Sequence, residues 1–288
     1  MGMPPQVQHR MREVTDMRSL HLLRTLIVAL WVLPAIAAPA TAATERPVVK
    51  ACGHHDYPPW NWLQDNRIVG VCAAVAQRAI ERLGYRVDLS YVGPWKRCQA
   101  LIEAGQVDVN ICSFRNPDRQ RYSVFAEPRM AQNRIAVFVQ KQRAARIPFR
   151  QWDDLKGLRT GLVAGVSMGP DFDSFLDHHT QVERATDMGS VLRMLVRHRV
   201  DIVPFGREAG QLQVERHRFA DDIVPLATDA LVGDLFVSVS RTSPLAHRIG
   251  EIGAYFARAE YRAELERLFA EYHRLYLQRS SEAELPSR

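Results

Sequence analysis

At 288 residues, 47% of them apolar, the chain is long enough for one large domain or for two lobes around a packed core. Its net charge of +6 is spread along the sequence, and the densest basic cluster, RHRVDIV, is too short and too broken by acids to form a nucleic-acid stripe. The N-terminus reads differently from the rest: Arg18, then the apolar run LHLLRTLIVALWVLPAIAAP, then Ala40-Thr41-Ala42, which is the order of a secretory signal peptide. Residues 1–42 are therefore expected to be a signal peptide, with Met17 as an alternative start and a retained anchor as the alternative fate. No further segment reaches the roughly 18–20 apolar residues that span a bilayer, so the mature chain is expected to be soluble and periplasmic.

The predicted elements follow in chain order. VVKACG (48–53) is a buried strand, the loop 54–69 follows, and CAAVAQRAIERLG (72–84) is a helix stopped by Gly84. YRVDLSYV (85–92) alternates as a strand, PWKRCQALIEAG (94–105) is a helix from Pro to Gly, and VDVNIC (107–112) is the next strand. This alternation predicts a parallel α/β sheet. After an irregular Arg-rich stretch come strands at 134–141, 158–164 and 200–205, a short helix at 152–157, and helices opening at 168 and 188. A strand at 235–240, two final helices and a polar tail complete the chain. Two similar α/β halves predict two lobes joined by a two-strand hinge, with the ligand cleft between them. Ligands bind beyond the C-terminal ends of strands in such sheets, which directs attention to loops 53–62, 113–119, 164–168 and 206–209.

Four cysteines in an exported chain read as disulfides. None forms C-x-x-C and no paired His spacing accompanies them, which argues against zinc. His54, His55 and Asp56 could ligate a metal only with distant partners, so no metal or other cofactor is expected. The pairs expected are Cys52–Cys72 and Cys98–Cys112, each joining the end of a strand to a neighbouring helix.

Four segments together carry a family resemblance over residues 47–275: YPPW followed by RIVGV, LIEAGQVDVNI, NPDRQRYSVFAEP, and GLVAGVS after DLKGLR. In this order and spacing the chain resembles the extracytoplasmic solute-binding proteins of family 3, the polar amino-acid receptors of ABC importers. The resemblance implies a type II periplasmic-binding-protein fold, with lobe 1 at 43–131 and 235–288 and lobe 2 at 132–234. It implies hinge strands near Ala131–Arg134 and Val232–Leu235, a monomer, and an inner-membrane permease as partner. It also implies that Arg119, six residues before Phe125, forks onto a ligand carboxylate.

Gly165 would let the backbone turn so that the N–H groups of Val166, Ser167 and Met168 face the cleft as a helix-start anion site; Ser167 could equally be only an N-cap. Ser113 opens another cleft loop. Tyr57, Trp60 and Trp62 could wall the ligand's planar part or pack beneath the cleft, whereas Trp95 reads as packing. The resemblance also shows a departure, since its relatives' ammonium-binding Asp falls at Gly206. Either Glu208 or Asp56 substitutes, or the ligand is an organic acid rather than an α-amino acid, which Arg119 and Arg207 would suit. An enzyme on the same scaffold, similar to cyclohexadienyl dehydratase with Glu208 or Asp56 as general acid, is the alternative. No Ser-His-Asp order or nucleophile elbow is present.

Overall fold

The structure, a computed structural model, describes residues 45–282; the expected signal segment lies outside them. The first lobe begins with β1 (Val48–Cys52), followed by β2 (Asp56–Tyr57), β3 (Asn61–Gln64) and β4 (Arg67–Val69), then α1 (Val71–Glu81), β5 (Arg86–Asp88), α2 (Trp95–Glu103) and β6 (Val109–Phe114). β1 pairs in parallel with β5 on one side and β6 on the other, the arrangement that the strand–helix alternation predicts. The segment read as a loop at 54–69 is instead a small antiparallel sheet, β2-β3-β4. Asp65 and Asn66 turn β3 into β4 at φ 48° and 59°, a left-handed pair that these two residue types tolerate in a tight hairpin.

The chain continues through α3 (Pro117–Tyr122), β7 (Ser123–Phe125) and β8 (Ala131–Gln140), then β9 (Arg159–Val163), α4 (Pro170–His179), β10 (Gln181–Ala185), α5 (Met188–Val196), β11 (Val203–Gly206), α6 (Arg207–Arg216) and β12 (Ile223–Ser240). β9 and β10 pair in parallel, and β11 lies antiparallel to β8. β8 and β12 join the halves: β12 pairs with β8 over its first part and with β6 and β7 over its last. One sheet path, β11-β8-β12-β6-β1-β5, therefore runs through both lobes. The segments expected at the hinge are direct partners there, Ala131 opposite Leu235 and Arg134 opposite Val232. The expected strand at 235–240 covers only the end of β12. Register shifts between Pro225 and Leu231 break the alternation that would have marked the earlier part.

α7 (Ile249–Phe256) and α8 (Tyr261–Glu282) return to the first lobe, where Phe269 of α8 meets the Trp60 ring edge-on at 5.1 Å. No helix among the described residues is long and apolar enough to cross a membrane.

The disulfides correct the expected pairing: they join Cys52 to Cys98 and Cys72 to Cys112. The physical reason is a bulge in β6. Opposite β12, the register slips by one residue between Phe236–Ser113 and Ser238–Asn110. Simple alternation would turn Cys112 to the same face as Cys52, whose lateral neighbour is Asn110. The extra residue turns Cys112 to the α1 face instead, where Cys72 sits in the main core. Cys52 stays on the α2 face, in a separate cluster with Trp95, Cys98 and Ile102.

Candidate functional site

Between the lobes lies a small cavity of about 40 Å³. Its polar lining comes from His54, Asn61, Ser113, Arg119 and Ser167 with the Tyr57 hydroxyl, and Trp95, Phe114, Met168, Phe205 and Leu235 supply much of the rest. It sits at the ends of β1 and β6, where an α/β sheet presents its loops.

Arg119 is set by local structure. Asn116 caps α3 by accepting from the Arg119 backbone N–H at 2.9 Å, after which Pro117 starts the helix. The Arg119 side chain is only 6% exposed and turns back so that Nη1 donates to the Phe114 carbonyl at 2.7 Å. Its guanidinium carbon lies 5.5 Å from the Trp95 ring centroid. No carboxylate among the described residues forms an ion pair with it, and burial lowers its pKa. A buried cation with unused donors is a strong site for a carboxylate.

Trp95, read from the sequence as packing, lines the cavity and also ties the lobes together. Its indole N–H donates to the Gly165 carbonyl across the cleft at 2.9 Å. Asn116 also donates to the Ser167 hydroxyl at 3.3 Å.

His54 is 6% exposed and stacks on His55 with ring centroids 5.3 Å apart. Its Nδ1 accepts from the Asp56 backbone N–H at 3.0 Å, which fixes the proton of the neutral ring on Nε2. Desolvation, and after it the neighbouring His55, lowers its pKa to about 3, so the ring is neutral. His54 Nε2, Ser113 Oγ and Asn61 Oδ1 are buried with no hydrogen-bond partner.

Residues 49–273 match the family of bacterial extracellular solute-binding proteins, family 3. The chain belongs to this family. A search of curated proteins gave no significant match. Among solved structures, this solute-binding protein is similar to an amino acid ABC transporter substrate-binding protein from Streptococcus pneumoniae bound to L-arginine, with a TM-score of 0.65 and 16% identity over 80% of this chain and 95% of that one. It is similar to a histidine kinase sensor domain at TM-score 0.67 and 18% identity, covering 79% of this chain and 96% of the other. An ancestral arginine-binding protein bound to glutamine gives 0.62 and 15%, with 79% and 98% covered. At these identities the shared property is the fold.

Within the family fold, the expected site residues separate into two groups. Arg119, Tyr57, Ser113, Val166 and Ser167 line the cavity. Asp56, Glu208, Trp60 and Trp62 do not. Asp56 accepts from Gln213 and meets Arg216 at 3.5 Å, and Glu208 pairs with Arg134 at 3.0 Å. Trp60 packs on Phe269, and Trp62 packs edge-on against Tyr272 and Tyr276 of α8, so both serve as packing beneath the cleft. Arg207 is also committed elsewhere, to Asp229 at 2.6 Å and the Leu226 carbonyl.

The expected anion site at the start of the following helix has two of its three amides, those of Val166 and Met168, already engaged. Val166 N–H donates to Val163, while Met168 N–H and the Ser167 hydroxyl both donate to the Asp173 carboxylate. A sequence pattern of Gly followed by Ser locates the turn but does not reveal that Asp173, on the first turn of α4, folds back over it.

Proposed function

We propose that this chain is the periplasmic receptor of an ABC importer, capturing a small carboxylate-bearing metabolite in the Arg119 cavity. The observation that carries this reading is the buried Arg119 guanidinium, which forms no ion pair with a carboxylate among the described residues, lining the cleft of a solute-binding fold. Of the described residues, lobe 1 comprises 46–131 and 235–282 and lobe 2 comprises 132–234, with bending at the paired segments of β8 and β12. The cross-cleft bonds of Trp95 and Asn116 stabilise the closed state, in which ligand contacts from both lobes give the differential affinity that drives closure. The closed form is then presented to an inner-membrane permease. The similar structures that bind arginine and glutamine support a metabolite of that size.

The similarity to a histidine kinase sensor domain supports a second reading, in which the same capture reports ligand occupancy to a signalling partner. The experiment is a thermal-shift screen of amino acids, organic acids and amines, followed by titration of each hit. Saturable 1:1 binding with the ligand unchanged by NMR after incubation supports the receptor. Conversion of the ligand would favour an enzyme on this scaffold, and no hit in the screen would contradict capture of a small metabolite.

A further inference from the structure

We propose that the ligand is a small carboxylic acid with no ammonium group, whose second polar point is an uncharged hydroxyl or oxo group at the 2-position. This deepens the reading above and rests on it.

The argument begins with charge. Among the described residues the cavity lining contains one cation, Arg119, and no Asp or Glu; Asp118, Asp173 and Asp177 line an adjoining pocket on the other side of Arg119, together with Arg184. The nearby acids are each committed: Asp173 to Ser167 and the Met168 amide, Asp56 to Gln213 and Arg216, Glu208 to Arg134. An ammonium closed into this space would be desolvated beside Arg119 with no counter-charge. An acid carrying one carboxylate instead neutralises Arg119.

Steric facts at Gly206 point the same way. A Cβ there would lie 2.2 Å from the Tyr57 hydroxyl oxygen and 3.2 Å from Asn133 Oδ1. No carboxylate-bearing side chain can grow from position 206 while Tyr57 stands where it does. Tyr57 is held by Asn133, whose amide donates to the hydroxyl at 2.5 Å, and by the Phe205 ring at 4.8 Å. The cavity wall here is thus a neutral phenol backed by an amide.

The remaining polar groups are also neutral, and three of them lack partners. His54 presents an Nε2–H donor, Asn61 an Oδ1 acceptor, and Ser113 a hydroxyl able to do either. Leaving buried donors and acceptors unmatched is costly, and a ligand hydroxyl or oxo group matches them. Trp95, Phe114, Met168, Phe205 and Leu235 suit a compact apolar remainder.

The test is isothermal titration of the purified protein with the 2-amino, 2-hydroxy and 2-oxo acids of the alanine, valine, leucine, methionine and phenylalanine skeletons. The expected result is that at least one hydroxy or oxo acid binds, at least 50-fold more tightly than the amino acid of the same skeleton. An amino acid that binds as tightly as its hydroxy and oxo counterparts, or more tightly, overturns this inference and leaves the receptor reading intact. No binding by any of these compounds, while the wider screen yields a carboxylic acid that lacks a 2-hydroxy or 2-oxo group, also overturns the inference alone; an amine as the only hit overturns both. No binding by any compound of either set overturns both.

Discussion

Replacing Arg119 by Met separates the binding role of this residue from a folding role. The substitution keeps an unbranched stem against Trp95 and removes the guanidinium. A carboxylate held by two charge-assisted hydrogen bonds, each contributing about 1.5–3 kcal/mol, would lose roughly 3–6 kcal/mol, which corresponds to an affinity loss of roughly 10²- to 10⁴-fold. The ligand-free protein should change far less. It loses the bond to the Phe114 carbonyl, about 1.5–3 kcal/mol, and the weaker attraction of Tyr122 and Asp173, offset by relief of a cation that burial disfavours. Titration of the tightest acid from the screen measures the first quantity, and urea unfolding without ligand measures the second. Affinity within threefold of wild type would remove Arg119 from the site. A loss of more than about 3 kcal/mol of ligand-free stability would show that the residue holds the fold.

Two further outcomes follow from the same geometry. Because burial lowers the His54 pKa from 6.5 to about 3, the unfolded chain takes up this proton first as the solution is acidified. Stability should therefore be fully present above pH 6.5 and fall through the window down to about 3. His54 alone would account for about 2 kcal/mol between pH 7 and pH 5, and His55, lowered in the same direction by desolvation, adds to it. His54→Asn keeps an acceptor for the Asp56 amide and does not titrate, so it should lose that part of the slope; equal slopes in urea unfolding at the two pH values would refute the assignment. Non-reducing peptide mapping should recover Cys52–Cys98 and Cys72–Cys112, and recovery of Cys52–Cys72 would contradict the fold around β6. With Cys52 and Cys98 separated by 46 positions, removing that bond should cost up to about 4 kcal/mol.

The parallel strands of the first lobe were legible because VVKAC and VNIC are short β-branched runs between helices of clear periodicity. β12 was not, because its pairing slips twice between Pro225 and Leu231 and no uniform alternation survives. Arg119 could be located only through the family resemblance of NPDRQRYSVFAEP, six residues before Phe125; the short helix that carries it, capped by Asn116 and opened by Pro117, lies in a stretch that reads as irregular. The aromatics of YPPWNW could not be sorted in the same way. The β2-β3-β4 turn sends Tyr57 to the cavity and both tryptophans to α8, a division that depends on a contact more than 200 residues away in sequence. Trp95 is the core packing that the sequence suggests, but its additional bond was not legible, because its partner, the Gly165 carbonyl, is 70 residues away in sequence. The disulfide pairing turned on one extra residue in β6, which residue types alone do not announce.

The central claim, that Arg119 anchors a carboxylate inside the interlobe cavity, is tested most directly by a crystal structure of the protein with the tightest-binding acid. The account predicts a carboxylate within about 3 Å of the Arg119 guanidinium, with the ligand's second polar group against His54 or Ser113. A carboxylate bound elsewhere, with Arg119 still turned only to the Phe114 carbonyl, would contradict it.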